Sequence, residues 1–223
     1  MVKMKKPFVI LDDGHGVNTP GKRSPLFEEL TRINGRLFCP GDFFKENEFN
    51  QPVCNFLEEM FKSAGIECVQ VIPSSDDLPL NLRIARENEF FRKAKEAGKS
   101  PIFISVHANA YQNTNTLVWN PAHGVETFYI QNHYNKFKTQ ESKILADLIQ
   151  REVVKATGLR NRGVKNGNFF VIRNSLSPSV LVEGPFMTNK EEVKLLASPK
   201  FQVTFAKAIY EAVLSYYNLK NIE

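Results

Sequence analysis

No stretch of this chain reaches the roughly 18 consecutive apolar residues of a spanning helix, so no membrane-crossing segment is expected. Cysteine is nearly as sparse. Cys39, Cys54 and Cys68 contain no CxxC pair, which argues against a cysteine-rich structural zinc site and fits synthesis in a reducing compartment. No basic run alternates with aromatic residues, so a nucleic-acid partner is not expected, although the net charge of +5 would favour some anionic polymer. No internal repeat or low-complexity tail is present. The amino terminus, MVKMKKPFVILDDGHG, imitates an export signal, but its apolar part, 8–11, is far shorter than the roughly 7–15 residues of a signal core. It reads as a first β-strand, and the chain as carrying no export signal of its own.

What is present is the composition of a soluble globular protein, 42% hydrophobic and 24% charged over 223 residues, enough for one well-buried core. Strand-like runs recur at 7–11, 66–72, 101–106, 125–130, 169–172 and 179–182. Between them lie amphipathic stripes: Val53, Phe56, Leu57, Met60, Phe61 and Ala64 with Gly65 as the stop; 80 to about 97 before Gly98; Ile144, Leu145, Leu148, Ile149 and Val153 before Gly158. A last helix is expected over about 199–217. Alternating strands and helices predict a single α/β domain across 1–223, with a twisted, mostly parallel sheet of about six strands and helices on both faces. The stretch 17–44 breaks the pattern, being rich in Gly, Pro and Arg without periodicity, and 111–123 is a shorter irregular region. A long loop inside a small domain is usually functional or mobile.

Two histidines stand just beyond apolar strands, His15 in FVILDDGHG and His107 in PIFISVHANA. Ligands gather at the carboxyl ends of strands in open α/β sheets, so two imidazoles there point to a shared metal. A catalytic zinc takes three protein ligands and keeps the fourth position for water. The start of the Val53 helix offers Glu46 and Glu48 as a third ligand, though an acid there also answers the helix dipole. His123 and His133 read as surface residues. Glu183, directly after the strand 179–182 in SVLVEGPF, would lie at the same sheet edge if the strands are parallel, as an acid and base.

These runs resemble the zinc-dependent N-acetylmuramoyl-L-alanine amidases that cleave bacterial peptidoglycan, over nearly the whole chain. ILDDGHG is similar to the family's opening strand and first histidine, and ENEFN to its glutamate and asparagine four positions apart, which selects Glu46 over Glu48. LPLNLRIAREN resembles the family's Leu, Arg and Asn pattern, at Leu80, Arg83 and Asn88. SVHANA, GVETFYI, RNRGVKNGNFFVIR and PSVLVEGPFMTN follow in the family's order. Asp13 stands where the family usually has proline, a change expected to be harmless, and 17–44 is longer than the usual connection.

The resemblance implies Zn2+ held by His15, Glu46 and His107, with Glu183 as catalytic acid and base. The reaction it implies is hydrolysis of the amide between N-acetylmuramic acid and L-alanine, with peptidoglycan as partner. The rival readings are a zinc carboxypeptidase-type peptidase and an inactive wall-binding module. Asp12 is expected to accept from a ligand histidine's other nitrogen, and Asn109 to fix the second histidine's loop. Arg23, Arg83 and Lys165 are candidates to hold stem-peptide carboxylates, against the plainer reading of each as a solvated surface charge. The protein is expected to act on the bacterial cell wall as a monomer. If the two histidines are ligands, His15→Ala and His107→Ala each lose stoichiometric zinc, as measured by metal analysis of the purified proteins.

Overall fold

The four apolar residues at the centre of β1 (Lys6–Asp12), Phe8 to Leu11, are all buried, so this strand needs cover on both faces. It receives that cover inside a six-stranded sheet in a computed structural model that describes residues 6–72, 76–111, 118–132 and 135–220. β1 pairs in parallel with β4 (Glu67–Gln70) on one side and β5 (Lys99–Asn109) on the other, and β5 pairs in parallel with β8 (Ser179–Phe186). β6 (Val125–Tyr129) runs antiparallel to β8, and β7 (Asn161–Asn166) closes the edge parallel to β6, for an order β4-β1-β5-β8-β6-β7. The expected α/β domain with a mostly parallel sheet is the one observed.

The pleat divides the core in two. Val9 and Leu11 of β1, with Ile102, Ile104 and Val106 of β5 and Val180 and Val182 of β8, enter the larger cluster. There they meet α1 (Asn47–Ser63), α3 (Lys136–Thr157) and α6 (Pro199–Lys220). The alternate residues Phe8, Ile10, Phe103 and Leu181 enter a smaller cluster with Ile84 of α2 (Leu80–Glu96) and Val171 and Ile172 of the short α4 (Phe170–Asn174). α5 (Glu192–Leu196) adds Val193 and Leu196 to the larger cluster. Gly65, Gly98 and Gly158, read as helix stops, each adopt the left-handed backbone that ends a helix cheaply only at glycine.

Two expectations fail. The run 169–172 is not a strand: its residues enter α4, and the strand lies earlier, at Asn161–Asn166. The Ile172 carbonyl takes hydrogen bonds from the Lys138 ammonium and the Ser179 hydroxyl, so side chains satisfy this backbone where a neighbouring strand would otherwise be needed. β7 escapes a hydrophobic pattern because it is an edge strand with no buried residue. The stretch 17–44 is also more ordered than its composition indicates. It contains the hairpin β2 (Thr31–Ile33) and β3 (Arg36–Phe38), joined by Asn34 (φ 49°) and Gly35 (φ 87°). An Asn-Gly pair with Ile33 before it and Leu37 and Phe38 shortly after is the hairpin signal that could have been read. Phe27, Ile33, Phe38 and Phe44 anchor the segment in the larger core.

Phe205 of α6 is fully buried against Phe49 at a ring separation of 5.2 Å. Phe205→Ala is expected to cost about 3–5 kcal/mol in urea unfolding. Leu30→Ala, at a position 63% exposed on the inserted segment, should stay within about 0.5 kcal/mol.

Candidate active site

The turn after β1 is built by close approach. A Cβ on Gly14 would lie 2.2 Å from the His107 ring, and one on Gly16 would lie 2.0 Å from the backbone nitrogen of Asp77. Between them His15 takes a left-handed backbone (φ 59°), uncommon for a residue with a side chain. α1 holds this turn in place: Asn50 donates to the Gly14 carbonyl at 2.7 Å and Asn47 to the His15 carbonyl at 3.3 Å. Glu46 sits at the amino end of the same helix, where the dipole favours a carboxylate. Glu48 instead accepts from the Lys45 backbone and pairs with Arg36.

His15, Glu46 and His107 each present a ligand atom within 4.8 Å of the others. His107 Nδ1 lies 2.9 Å from Glu46 Oε1, and His15 Nε2 lies 3.8 Å from Glu46 Oε2. Burial, reinforced by His107, pushes His15 down to about 4, so its imidazole is neutral at pH 7. Burial also pulls on His107, but the hydrogen bond and charge of Glu46 outweigh it and hold His107 above its ordinary value. The same pair, with His15, keeps the Glu46 carboxyl low despite its burial. Two imidazoles and one ionised carboxylate converging in this way fit the donor set of a catalytic zinc.

Glu183 stands beside this group because β5 and β8 are parallel and pair His107 with Glu183 in register. Gly184 has no room for a side chain, since a Cβ there would be 2.8 Å from the Phe49 ring. Glu183 Oε2 is buried with no hydrogen-bond partner. Burial pushes this carboxyl up to about 7; His107 opposes the shift while Glu46 and Glu126 add to it. A cavity of about 200 Å³ opens here, lined by His15, His107, Glu183, Leu80, Phe169, Phe170 and Lys22 among others. Neither Lys22 nor the two phenylalanines were singled out from sequence, because no spacing links them to the histidines.

The remaining candidates are distributed differently. Asn109 donates to Glu126 at 2.8 Å and accepts from the Ala110 backbone, which holds the loop after His107. Lys165 and Arg162 both pair with Glu126, and Arg23 bonds the Ser24 carbonyl and stacks over Phe43. Arg23 and Lys165 are absent from the cavity lining, whereas Arg83 borders it. Asn88 accepts from the Leu176 backbone. His123 is exposed, and His133 lies outside the described residues. Asp13 buries a carboxyl whose Oδ1 has no partner; burial, then Asp12, pushes it up to about 7.

Arg83 overturns its reading as a solvated surface charge: it is 1% exposed. It donates to Asp12 and to Asp77, each at 2.7 Å, and to the Leu78 carbonyl, since a buried guanidinium needs partners for its fork of donors. Asp12 reaches His107 only through an intermediary. Asp12 Oδ2 accepts from the Ser105 hydroxyl at 2.6 Å, and Ser105 Oγ lies 3.1 Å from His107 Nε2. A carboxylate can only accept, so the serine proton points to Asp12 and the serine lone pair receives the His107 Nε2 proton. With its proton anchored on Nε2 in this way, His107 would present Nδ1, the nitrogen that now bonds Glu46, to a metal once the Nδ1 proton is lost. Ser105→Ala is expected to lower zinc affinity about 10–100-fold in a chelator competition while the fold stays intact by circular dichroism.

Residues 9–215 match the sequence pattern of the family described as N-acetylmuramoyl-L-alanine amidase. An uncharacterized cell wall amidase of Bacillus anthracis is 39% identical over 139 residues, 61% of this chain and 24% of that protein. The N-acetylmuramoyl-L-alanine amidase LytC of Bacillus subtilis is 30% identical over 219 residues, 96% of this chain and 37% of that protein. The chain thus spans less than half the length of these curated relatives. The crystal structure of an N-acetylmuramoyl-L-alanine amidase from Clostridium difficile 630 superposes with a TM-score of 0.73 at 27% identity, covering 96% of this chain and 98% of that one. With the matched span running from inside β1 to inside α6, the chain belongs to the N-acetylmuramoyl-L-alanine amidase family.

Proposed function

We propose that this protein is a zinc-dependent amidase that hydrolyses the bond between N-acetylmuramic acid and L-alanine in peptidoglycan. One observation carries the reading: two imidazoles and a carboxylate converge beside a buried, unpartnered carboxyl oxygen of Glu183 in the same cleft. The activity for which LytC and the Clostridium difficile amidase are named supplies the bond that is cut. His15, Glu46 and His107 would hold the zinc, which when bound would act as a Lewis acid on the scissile carbonyl and acidify water.

The chain's own residues then divide the remaining work. Glu183 Oε2 takes a proton from the attacking water and returns it to the alanine nitrogen as the amide bond breaks. A nucleophilic side chain is not required, and no covalent intermediate forms. Ser105, backed by Asp12 and Arg83, keeps His107 in one tautomer throughout. Peptidoglycan as the substrate makes the bacterial cell wall the proposed site of action.

Muropeptide analysis of purified peptidoglycan tests the proposal. The zinc-loaded protein should release intact stem peptides, and Glu183→Gln, with its zinc content unchanged, should do so about 10²–10⁴-fold more slowly. Trimming of free peptides without release from glycan would replace the amidase reading with a peptidase. Zinc binding without any cleavage would replace it with an inactive wall-binding module.

A further inference from the structure

The cavity beside Glu183 carries a cation that the proposed chemistry does not use. Of the basic side chains lining it, Arg83 is fully engaged by Asp12, Asp77 and the Leu78 carbonyl. Lys22 also lines it, but it is exposed and its ammonium has no hydrogen bond or ion pair among the described residues. It is close enough for its charge to act on His15, Glu46 and Glu183. A free positive charge over a cleft containing Asp12, Glu46 and Glu183 does not repel an anionic ligand as the bare carboxylates would.

Lys22 is an exposed side chain on a fixed root. Its carbonyl accepts from the Glu46 backbone at 3.0 Å, and Arg23 forms an antiparallel bridge with Lys45. Ser24 N–H donates to the Phe44 carbonyl at 2.7 Å, and Phe44 N–H donates to the Ser24 hydroxyl at 2.9 Å. These bonds tie the start of the inserted segment directly to the residue that would ligate the metal.

The same cavity has an apolar component. Phe169 and Phe170 are each 37% exposed and Leu80 is 47% exposed, a costly arrangement for large apolar groups unless something covers them. The aromatic pair is held in place by its surroundings. Phe169 packs on Phe128 at 4.9 Å, a Cβ on Gly167 would meet Phe169 at 2.7 Å, and Lys138 donates to the backbone at both Ile172 and Ser175.

We infer that Lys22 and the Phe169–Phe170 surface form a specificity subsite for the peptide side of the substrate, Lys22 binding a carboxylate and the aromatic pair the alanine methyl group beside it. This assignment rests on the amidase reading. In a muramoyl peptide the carboxylate nearest the scissile amide belongs to the residue after alanine. Lys22 would therefore make the enzyme prefer peptides in which that carboxyl is free over those in which it is amidated.

The test compares two soluble muramoyl peptides that differ only in that group, a free carboxylate in one and a carboxamide in the other. The wild type is expected to favour the acid about tenfold in kcat/KM, through KM, with the preference shrinking as salt is raised. Lys22→Met should bring the ratio close to one by raising KM for the acid, and Lys22→Arg should retain most of it. A wild type with no preference overturns the subsite, as does a Lys22→Met loss that falls equally on both peptides in kcat. Failure of the wild type to cleave either peptide overturns the amidase reading and the subsite with it.

Discussion

A pleated strand turns alternate side chains to opposite faces, and the in-register pairs Asp12 with Ser105 and His107 with Glu183 therefore share one face of the sheet. That is the face of the smaller core cluster, which is covered by α2 and α4 and stops at Ile10, Phe103 and Leu181. Beyond it the strands run on into polar residues. A one-residue slip of β5 against β8 would send His107 or Glu183 into the larger core among Val106 and Val182, so the buried apolar registers specify the site.

Polar groups so close to a core need partners, and most of the site's secondary contacts follow from that requirement. Arg83 satisfies Asp12, Asp12 orients Ser105, and Ser105 fixes His107. Removing one member of a buried ion pair commonly costs about 3–5 kcal/mol because the other charge is left buried and unpaired, so Arg83 and Asp12 are retained together. Glu183, like Asp13, departs from this pattern. Its buried oxygen is left without a partner in the cavity, the arrangement expected of a group that exchanges a proton with a ligand.

Two segments of weak sequence signal complete the cleft. The inserted stretch is rooted by Phe27, Phe38 and Phe44 in the larger core and brings Lys22 to one part of the cavity. The short helix α4 brings Phe169 and Phe170 to another, its backbone held by Lys138, and the loop after it by Glu87 through the Leu176 and Ser177 amides. Both segments depend on long-range contacts with no local periodicity, which is why one reads as an irregular loop and the other as a strand.

The sequence by itself determined the α/β class, the four long helices and five of the six strands of the central sheet, because burial on one or both faces leaves a period that local spacing records. It also marked His15, Glu46, His107 and Glu183, since strand ends and a helix start are local features and motif order ties them together. Only the tertiary structure decided what surrounds them. That Arg83 is buried, that Asp12 acts through Ser105, and that Lys22, Phe169 and Phe170 face the same cavity are facts about residues far apart in the chain. Such contacts are set by packing between elements, and no spacing within a single element encodes them.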